Sequence, residues 1–486
     1  MLAGIWLLTL LILAVAGVLH YSGAFRIPQV RLNITLPALV DRYFWLWLLP
    51  LTLLFRLPMM FDSAWYDEAF TGVMVSVPLD KFMVALRGDV HPPLYYVLAK
   101  ISVAIFGYSD AALRLPALAA GLLLVPATYR LARGLTGQVV TARLVAVIVA
   151  FMPAQIHYSN EARYPEVLTL AVVVSMAALV ESRRRWWLVA TVVAPLLHAT
   201  GIVYAGFLVL VALRRRWWLP AGAVSAVVAA VVVFMLQQAH DISDGFWLWQ
   251  MLPVTHLTEG TVLLPSPPAG IIAYMAVILL MLAGVRALYK ASGEKFLLLM
   301  IGLAPFAVWG ISAAWHPVYL PRALMASSLV IVVGWGVLIR QHLIYQVAVV
   351  LSLSLSIPGM YSRHESIPLR DLMAYCAGAD VIYATSTSMT IVAKHYAPPG
   401  ARVLSYWGGN SINQSLPMDA RLAMGYDFTP VEFAAGRICH VIQWNNWTGD
   451  RERSRVIELT RHYHPDSIVL QGNGLLLYQV LRWTNG

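Results

Sequence analysis

The chain has 486 residues, 59% of them hydrophobic and only 12% charged, with a mean hydropathy of +0.70. Soluble domains carry roughly twice that charged fraction, so a soluble enzyme, a disordered chain and a nucleic-acid-binding domain are excluded. The net charge of +10 sits in short basic runs between apolar stretches, the pattern of loops in a polytopic membrane protein.

A bilayer-crossing helix needs about 20 mostly apolar residues, fewer inside a bundle. Spans are expected near 3–20, 43–60, 112–131, 140–156, 165–181, 186–197, 200–213, 217–236, 269–285, 296–314, 322–339 and 343–358. The first segment lacks a basic run before it and has one after it, which suits a retained helix rather than a cleaved signal. One set of connections carries sixteen Lys and Arg, among them Arg183–Arg185, Arg214–Arg216, Arg286, Lys290 and Lys295. The opposite set carries seven: Arg56, Lys81, Arg87, Lys100, Arg114, Arg163 and Arg322. The richer set is expected in the cytoplasm. The N-terminus and the loops 61–111, 157–164, 237–268 and 315–321 then lie outside.

After about residue 360 the composition becomes ordinary. Short apolar runs at 380–384, 402–406, 438–443, 467–470 and 475–480 read as strands, with helices near 366–377 and 385–396. The organisation expected is an N-terminal helix and loop (1–42), a transmembrane domain (43–360) and an extracytoplasmic α/β domain (361–486). Cys376 and Cys439 share that last domain. An oxidising compartment would permit their pairing; two buried thiols are the other reading.

The ionisable residues outside the basic loops fall in three clusters. The first external loop holds Trp65-Tyr66-Asp67-Glu68-Ala69 and then Asp89-Val90-His91-Pro92-Pro93. A carboxylate pair at a membrane boundary is costly unless solvated, paired or used. The second loop holds Tyr158, Glu161 and Arg163; the third holds Arg322 at the top of a helix. Taken singly, each suits a hydrated loop, a surface ion pair or an interfacial anchor. Their common face favours a joint site.

Three runs carry a resemblance. Trp65–Ala69 with Asp89–Tyr96 and Phe106–Arg114, then Tyr158–Tyr164, then Tyr319–Leu324 resemble the polyprenyl-phosphate-dependent membrane glycosyltransferases, which include the protein O-mannosyltransferases and the aminoarabinose transferases of lipid A. Asn160 stands where that group usually has Gln, and Ala323 where it usually has Tyr. The resemblance covers 43 to about 340 well and the two ends loosely. It implies a mostly α membrane protein with a GT-C helix bundle. It also implies a lipid-phosphate sugar donor and an acceptor outside the cytoplasm: a lipid, a glycan or a protein.

An acceptor hydroxyl is not ionised at neutral pH and needs a base. Asp67 is the candidate, with Glu68 as its support. Direct displacement would invert the anomeric centre, and a phosphate ester leaves without an acid. Arg163 and Arg322 are the candidate phosphate ligands, because a guanidinium meets phosphate oxygens as a fork. Arg114 is a third, against an equal reading as a snorkelling anchor. Glu161 would orient Arg163 or bind the sugar; Tyr158 flanks it. Asp89 and His91 would shape the loop. They precede a flat interfacial helix at about 92–106, with Leu94, Leu98, Ile101 and Ile105 toward lipid and Lys100 toward water.

No cofactor is required by this chemistry. A divalent metal is conceivable at His91, His240, His256 or His316, although no His-x-x-x-His spacing appears. The loop 241–268 reads as a gate over the donor or as an aromatic rim. Asn33, Asn413 and Asn446 open glycosylation sequons by pattern. A flippase for a lipid-linked sugar and a non-catalytic assembly subunit are the rival classes. The loop position of the acids disfavours the first, since transporters place such groups near the midplane.

Overall fold

A computed structural model of the chain describes residues 42–238, 282–314, 318–341, 369–384, 387–405, 418–424, 437–443, 465–473 and 476–483. The expected spans 3–20 and 343–358 and most of 269–285 lie outside them. So do the loop 241–268, His240, His256, His316 and the three sequon asparagines.

The described residues form two compact units. One holds those up to Met60, Arg114–Val233 and those between 246 and 363. The other holds Phe61–Leu113, Phe234–Gln238 and those from 364 onward.

The first unit is helical: α1 (Phe44–Arg56), most of α5 (Asp110–Thr136), α6 (Val139–Phe151), α7 (Pro153–Tyr158), α8 (Pro165–Val180), α9 (Arg184–Val193), α10 (Ala199–Arg214), α11 (Trp218–Met235), α12 (Lys295–Ala314) and α13 (Met325–Gln341). Among the described residues five stretches are long and apolar enough to cross a membrane: Phe44–Phe61, Asp110–Thr136, Trp218–Met235, Lys295–Ala314 and Pro321–Arg340. The expected span 186–197 falls short. It is the 10-residue α9 followed by turns, and at 1.5 Å per residue it covers about half a hydrocarbon core. Packing joins α8 to α9, α6 to α13 and α10 to α12. The basic loops keep acids beside them: Glu181 accepts from Arg130 and pairs with Arg183 at 3.0 Å, and Arg215 meets Glu294 at 2.6 Å.

The second unit contains α2 (Tyr66–Ser76), α3 (Leu79–Leu86) and α4 (Leu94–Phe106). From the C-terminal residues come α14 (Leu369–Ala374), β1 (Val381–Ala384), α15 (Thr387–Tyr396), β2 (Arg402–Ser405), α16 (Met418–Ala423), β3 (Ile438–Gln443), β4 (Pro465–Asn473) and β5 (Leu476–Trp483). The five strands run in the order β2-β1-β3-β5-β4, parallel across the first three and antiparallel across the rest. All four residues of β1 are buried, as the apolar run Val-Ile-Tyr-Ala requires of a central parallel strand. A disulfide joins Cys376 to Cys439, which resolves the open thiol question in favour of pairing.

The first loop and the C-terminal sheet share one core. Ala69, Val73 and Met74 of α2 pack with Leu372, Ile382, Met389, Val392 and Val441. α2 lies against α15, and α3 against α16. Each fully buried Val, Leu, Ile or Met side chain contributes about 1.5–3 kcal/mol, so this shared core is what orders the loop.

The helix expected at 92–106 is α4, and it ends at Gly107, whose φ of +83° is the left-handed stop that glycine permits. Its exposed face includes Ile101 and Ile105. Lys100 departs from expectation. Its ammonium donates to the carbonyls of Val75 and, at 2.5 Å, Val77. It thus neutralises orphan carbonyls and dipole at the end of α2 instead of facing water.

Candidate active site

The candidate residues divide between the two units. Asp67, Glu68, Asp89 and His91 belong to the second; Arg114, Tyr158, Glu161, Arg163 and Arg322 belong to the first.

Asp67 and Glu68 occupy the first turn of α2, where the helix dipole favours negative charge. Their environments differ. Glu68 is buried, and its Oε2 accepts the Trp65 N–H at 3.3 Å, one half of a capping box. Asp67 is half-buried. Local structure therefore commits Glu68 to closing the helix start.

Asp89 is a hub. Its Oδ1 accepts from Val90 N at 2.8 Å and meets His91 Nδ1 at 3.0 Å; its Oδ2 accepts the Tyr96 hydroxyl at 2.5 Å. Gln238 adds a tie, its Nε2 donating to Leu86 O at 3.0 Å and His91 O at 3.1 Å. Asp89 thereby fixes the turn into α4. Among the described residues no group of three or more His, Cys, Asp and Glu side chains is placed to hold a metal.

In the first unit the run Tyr158–Tyr164 is buried throughout. It is no hydrated loop. Asn160 Nδ2 donates to Ile156 O at 2.7 Å, and Tyr164 stacks on His198 with centroids 4.1 Å apart. Glu161 and Arg163 are two residues apart in sequence, yet Glu161 Oε1 accepts from Arg322 Nη1 at 3.2 Å. The two expected loops thus meet through an acid and an arginine 161 residues apart. The turn carrying Arg322, Pro321–Leu324, is held by α10: Tyr204 donates to Leu324 O at 3.2 Å and lies 2.8 Å from Ser327 Oγ. Arg322 keeps 17% side-chain exposure against 3% for Glu161.

Arg114 is given another task. It is fully buried and its Nη1 donates to Met59 O and Met60 O, each at 3.1 Å. It ties the turn after α1 to the first helical turns of α5, and at this depth it does not snorkel. Arg56, placed by sequence in a loop, is also fully buried and donates to Ala150 O at 2.8 Å.

One cluster escaped sequence reasoning. Asp110 Oδ1 accepts from His395 Nε2 at 2.6 Å; its Oδ2 accepts from Tyr396 at 2.7 Å and from Arg370. His395 Nδ1 meets the Tyr108 hydroxyl at 2.6 Å. Burial, partly offset by a Ser76 hydrogen bond, pushes the Tyr108 phenol up to about 12, and burial with the Asp110 charge raises Tyr396 further. Both phenols therefore stay protonated. Asp110 stood inside the quoted run Phe106–Arg114, but its partners lie more than 250 residues away.

Residues 90–238 match the family model described as dolichyl-phosphate-mannose-protein mannosyltransferase. A comparison with curated proteins gives no match. The structure matches ArnT from Cupriavidus metallidurans in the apo state with a TM-score of 0.55 at 12% identity, covering 91% of this chain and 98% of that one. The chain has the GT-C fold. The same bacterial protein bound to undecaprenyl phosphate matches at 0.54, again at 12% identity, over 91% of this chain and 98% of the other. The GT-C bundle with an α/β addition is therefore the architecture of this chain, and it is a multi-pass membrane protein. The family match begins at Val90, after Asp67 and Glu68 and before Arg322, so those residues rest on the chain's own geometry.

Proposed function

We propose that the protein is a membrane glycosyltransferase that moves a sugar from a lipid-phosphate donor to an acceptor outside the cytoplasm. The observation that carries this reading is the GT-C fold over 91% of the chain, in a form solved with undecaprenyl phosphate in the relative. The mannosyltransferase family match over 90–238 supports it independently. Neither finding favours a flippase.

In this mechanism Asp67 accepts the hydroxyl proton as the acceptor oxygen attacks the anomeric carbon. The new carbon–oxygen bond forms as the bond to the phosphate oxygen breaks. The lipid phosphate leaves with the electron pair and the centre inverts. General-base help of this kind contributes about 10²–10⁴-fold. Arg322 and Arg163 hold the phosphate. A guanidinium has five N–H donors, and the bond from Arg322 to Glu161 aims it. Glu161 is accordingly a positioning group for Arg322. Glu68 stays on the backbone, and Tyr158 stays packed against Ala154 and Met325.

The extracytoplasmic placement is part of the proposal. Lys and Arg counts favour it, and the Cys376–Cys439 disulfide is of a kind that persists in oxidising compartments. For the function, Asp67→Asn should retain binding of a polyprenyl-phosphate sugar and lose most transfer. Near-normal transfer by that variant would remove Asp67 as the base.

A further inference from the structure

The C-terminal α/β residues look, by sequence, like an appended domain. Their contacts say otherwise. Three side chains from this region converge on one buried carboxylate, Asp110, which is 7% exposed. They are Arg370 before α14's second turn, and His395 and Tyr396 at the end of α15. Two of them also grip the segment leading into α2, and the third touches α2 itself. Tyr396 Oη accepts the Ala64 N–H at 2.6 Å, three residues before Asp67. Arg370 donates to Phe61 O at 3.0 Å and Asp62 O at 3.2 Å, while its own N–H reaches Ser63 Oγ at 3.2 Å. His395 presses on the body of α2. A Cβ at Gly72 would stand 2.2 Å from His395 Nδ1 and 2.6 Å from Tyr108 Oη. Glycine is what lets the imidazole approach there.

The donor pattern is self-consistent. The carboxylate meets His395 Nε2, and the ring's Nδ1 meets the Tyr108 hydroxyl. Tyr396 donates to Asp110 and receives Ala64. Removing one member leaves a buried group unmatched, so the cluster holds as a unit. The disulfide and the shared core keep α14, β1 and β3 in register behind it.

We propose that Arg370, His395 and Tyr396, gathered on Asp110, are positioning residues that clamp the start of α2 and so set the place of Asp67. This rests on the reading of Asp67 as the base. It makes the C-terminal region a structural part of the catalytic centre. A base displaced by about 1 Å loses on the order of 10²-fold in rate, while donor affinity set elsewhere is untouched.

The test uses the full-length protein in lipid nanodiscs, with His395→Gln, Tyr396→Phe, His395→Ala, Gly72→Ala and the pair His395→Ala/Gly72→Ala. Amide exchange is read over residues 61–76, and kcat and KM are read with a polyprenyl-phosphate sugar. His395→Gln and Tyr396→Phe should speed exchange in 61–76 about tenfold or more and cut kcat about tenfold or more, with the donor KM within about twofold. Gly72→Ala should do the same in the parent chain. It should cost clearly less once His395 is alanine, because the 2.2 Å contact with the imidazole is then gone and only the Tyr108 hydroxyl at 2.6 Å remains, a non-additivity that direct contact predicts. Unchanged exchange over 61–76 in both His395→Gln and Tyr396→Phe overturns the clamp, and so does additivity of Gly72→Ala with His395→Ala. If exchange and coupling follow the clamp but Asp67→Asn keeps full turnover, the clamp stands and the base assignment falls.

Discussion

The two units hold their charges in opposite ways. In the helical unit Arg56, Arg114, Glu161 and Arg163 are buried, and the bonds described for Arg56 and Arg114 go to main-chain carbonyls. In the other unit a carboxylate is surrounded by an imidazole, phenols and a guanidinium, and a second acid, Asp67, is left half-buried at a helix start. The contrast follows from the solvent. Inside a lipid-facing bundle an ionisable group survives only when the backbone or an opposite charge satisfies it. In the α/β unit side chains gathered from distant segments satisfy the buried carboxylate of Asp110.

That comparison can be broken at its strongest joint first. Cys376 and Cys439 close a loop with a separation of 63 residues. Chain entropy gives such a bridge about 4 kcal/mol. Cys376→Ser with Cys439→Ser should therefore lower the melting temperature of the α/β unit, read by differential scanning calorimetry, and leave the helical signal in place. A single unshifted transition would show that the bridge does not hold that unit.

A smaller effect separates arginines that bind from arginines that build. Arg322→Lys should raise the donor KM several-fold, because an ammonium keeps the charge beside Glu161 but loses the guanidinium fork, with little change in melting. Arg114→Gln should do the reverse, costing about 1–3 kcal/mol of stability for unmatched buried carbonyls with the donor KM unchanged. Identical behaviour of the two would erase the distinction drawn between them. The smallest effect belongs to Glu68. Glu68→Gln keeps an acceptor for Trp65 N–H, so kcat should stay within about threefold and stability within about 1 kcal/mol. A loss as large as that expected of Asp67→Asn would make Glu68 part of the chemistry.

Much of the architecture was legible because apolar length and period need no partner to be read. The five strands and the pair α14 and α15 were placed by short apolar runs, and five of the twelve expected spans coincide, among the described residues, with stretches long and apolar enough to cross a membrane. The failures share a cause. Lys100 was read as water-facing because its own helix is amphipathic, but the carbonyls it meets belong to α2. The bond from Glu161 to Arg322 was not foreseen, because the two stand 161 residues apart. Arg114 resembled an interfacial anchor, and its carbonyls come from Met59 and Met60. Asp110 sat in a quoted run without a role because His395 and Arg370 reach it only through tertiary structure. Local pattern shows which residues are costly to bury; it does not show who satisfies them.

The central claim is that a carboxylate at the start of α2 deprotonates the acceptor. The most direct measurement is single-turnover transfer from a pre-bound, radiolabelled polyprenyl-phosphate sugar, comparing Asp67→Asn with the parent chain at equal donor occupancy. The account predicts at least a roughly 10²-fold slower transfer with the label retained on the lipid. Transfer at the parent rate with the same occupancy would contradict it.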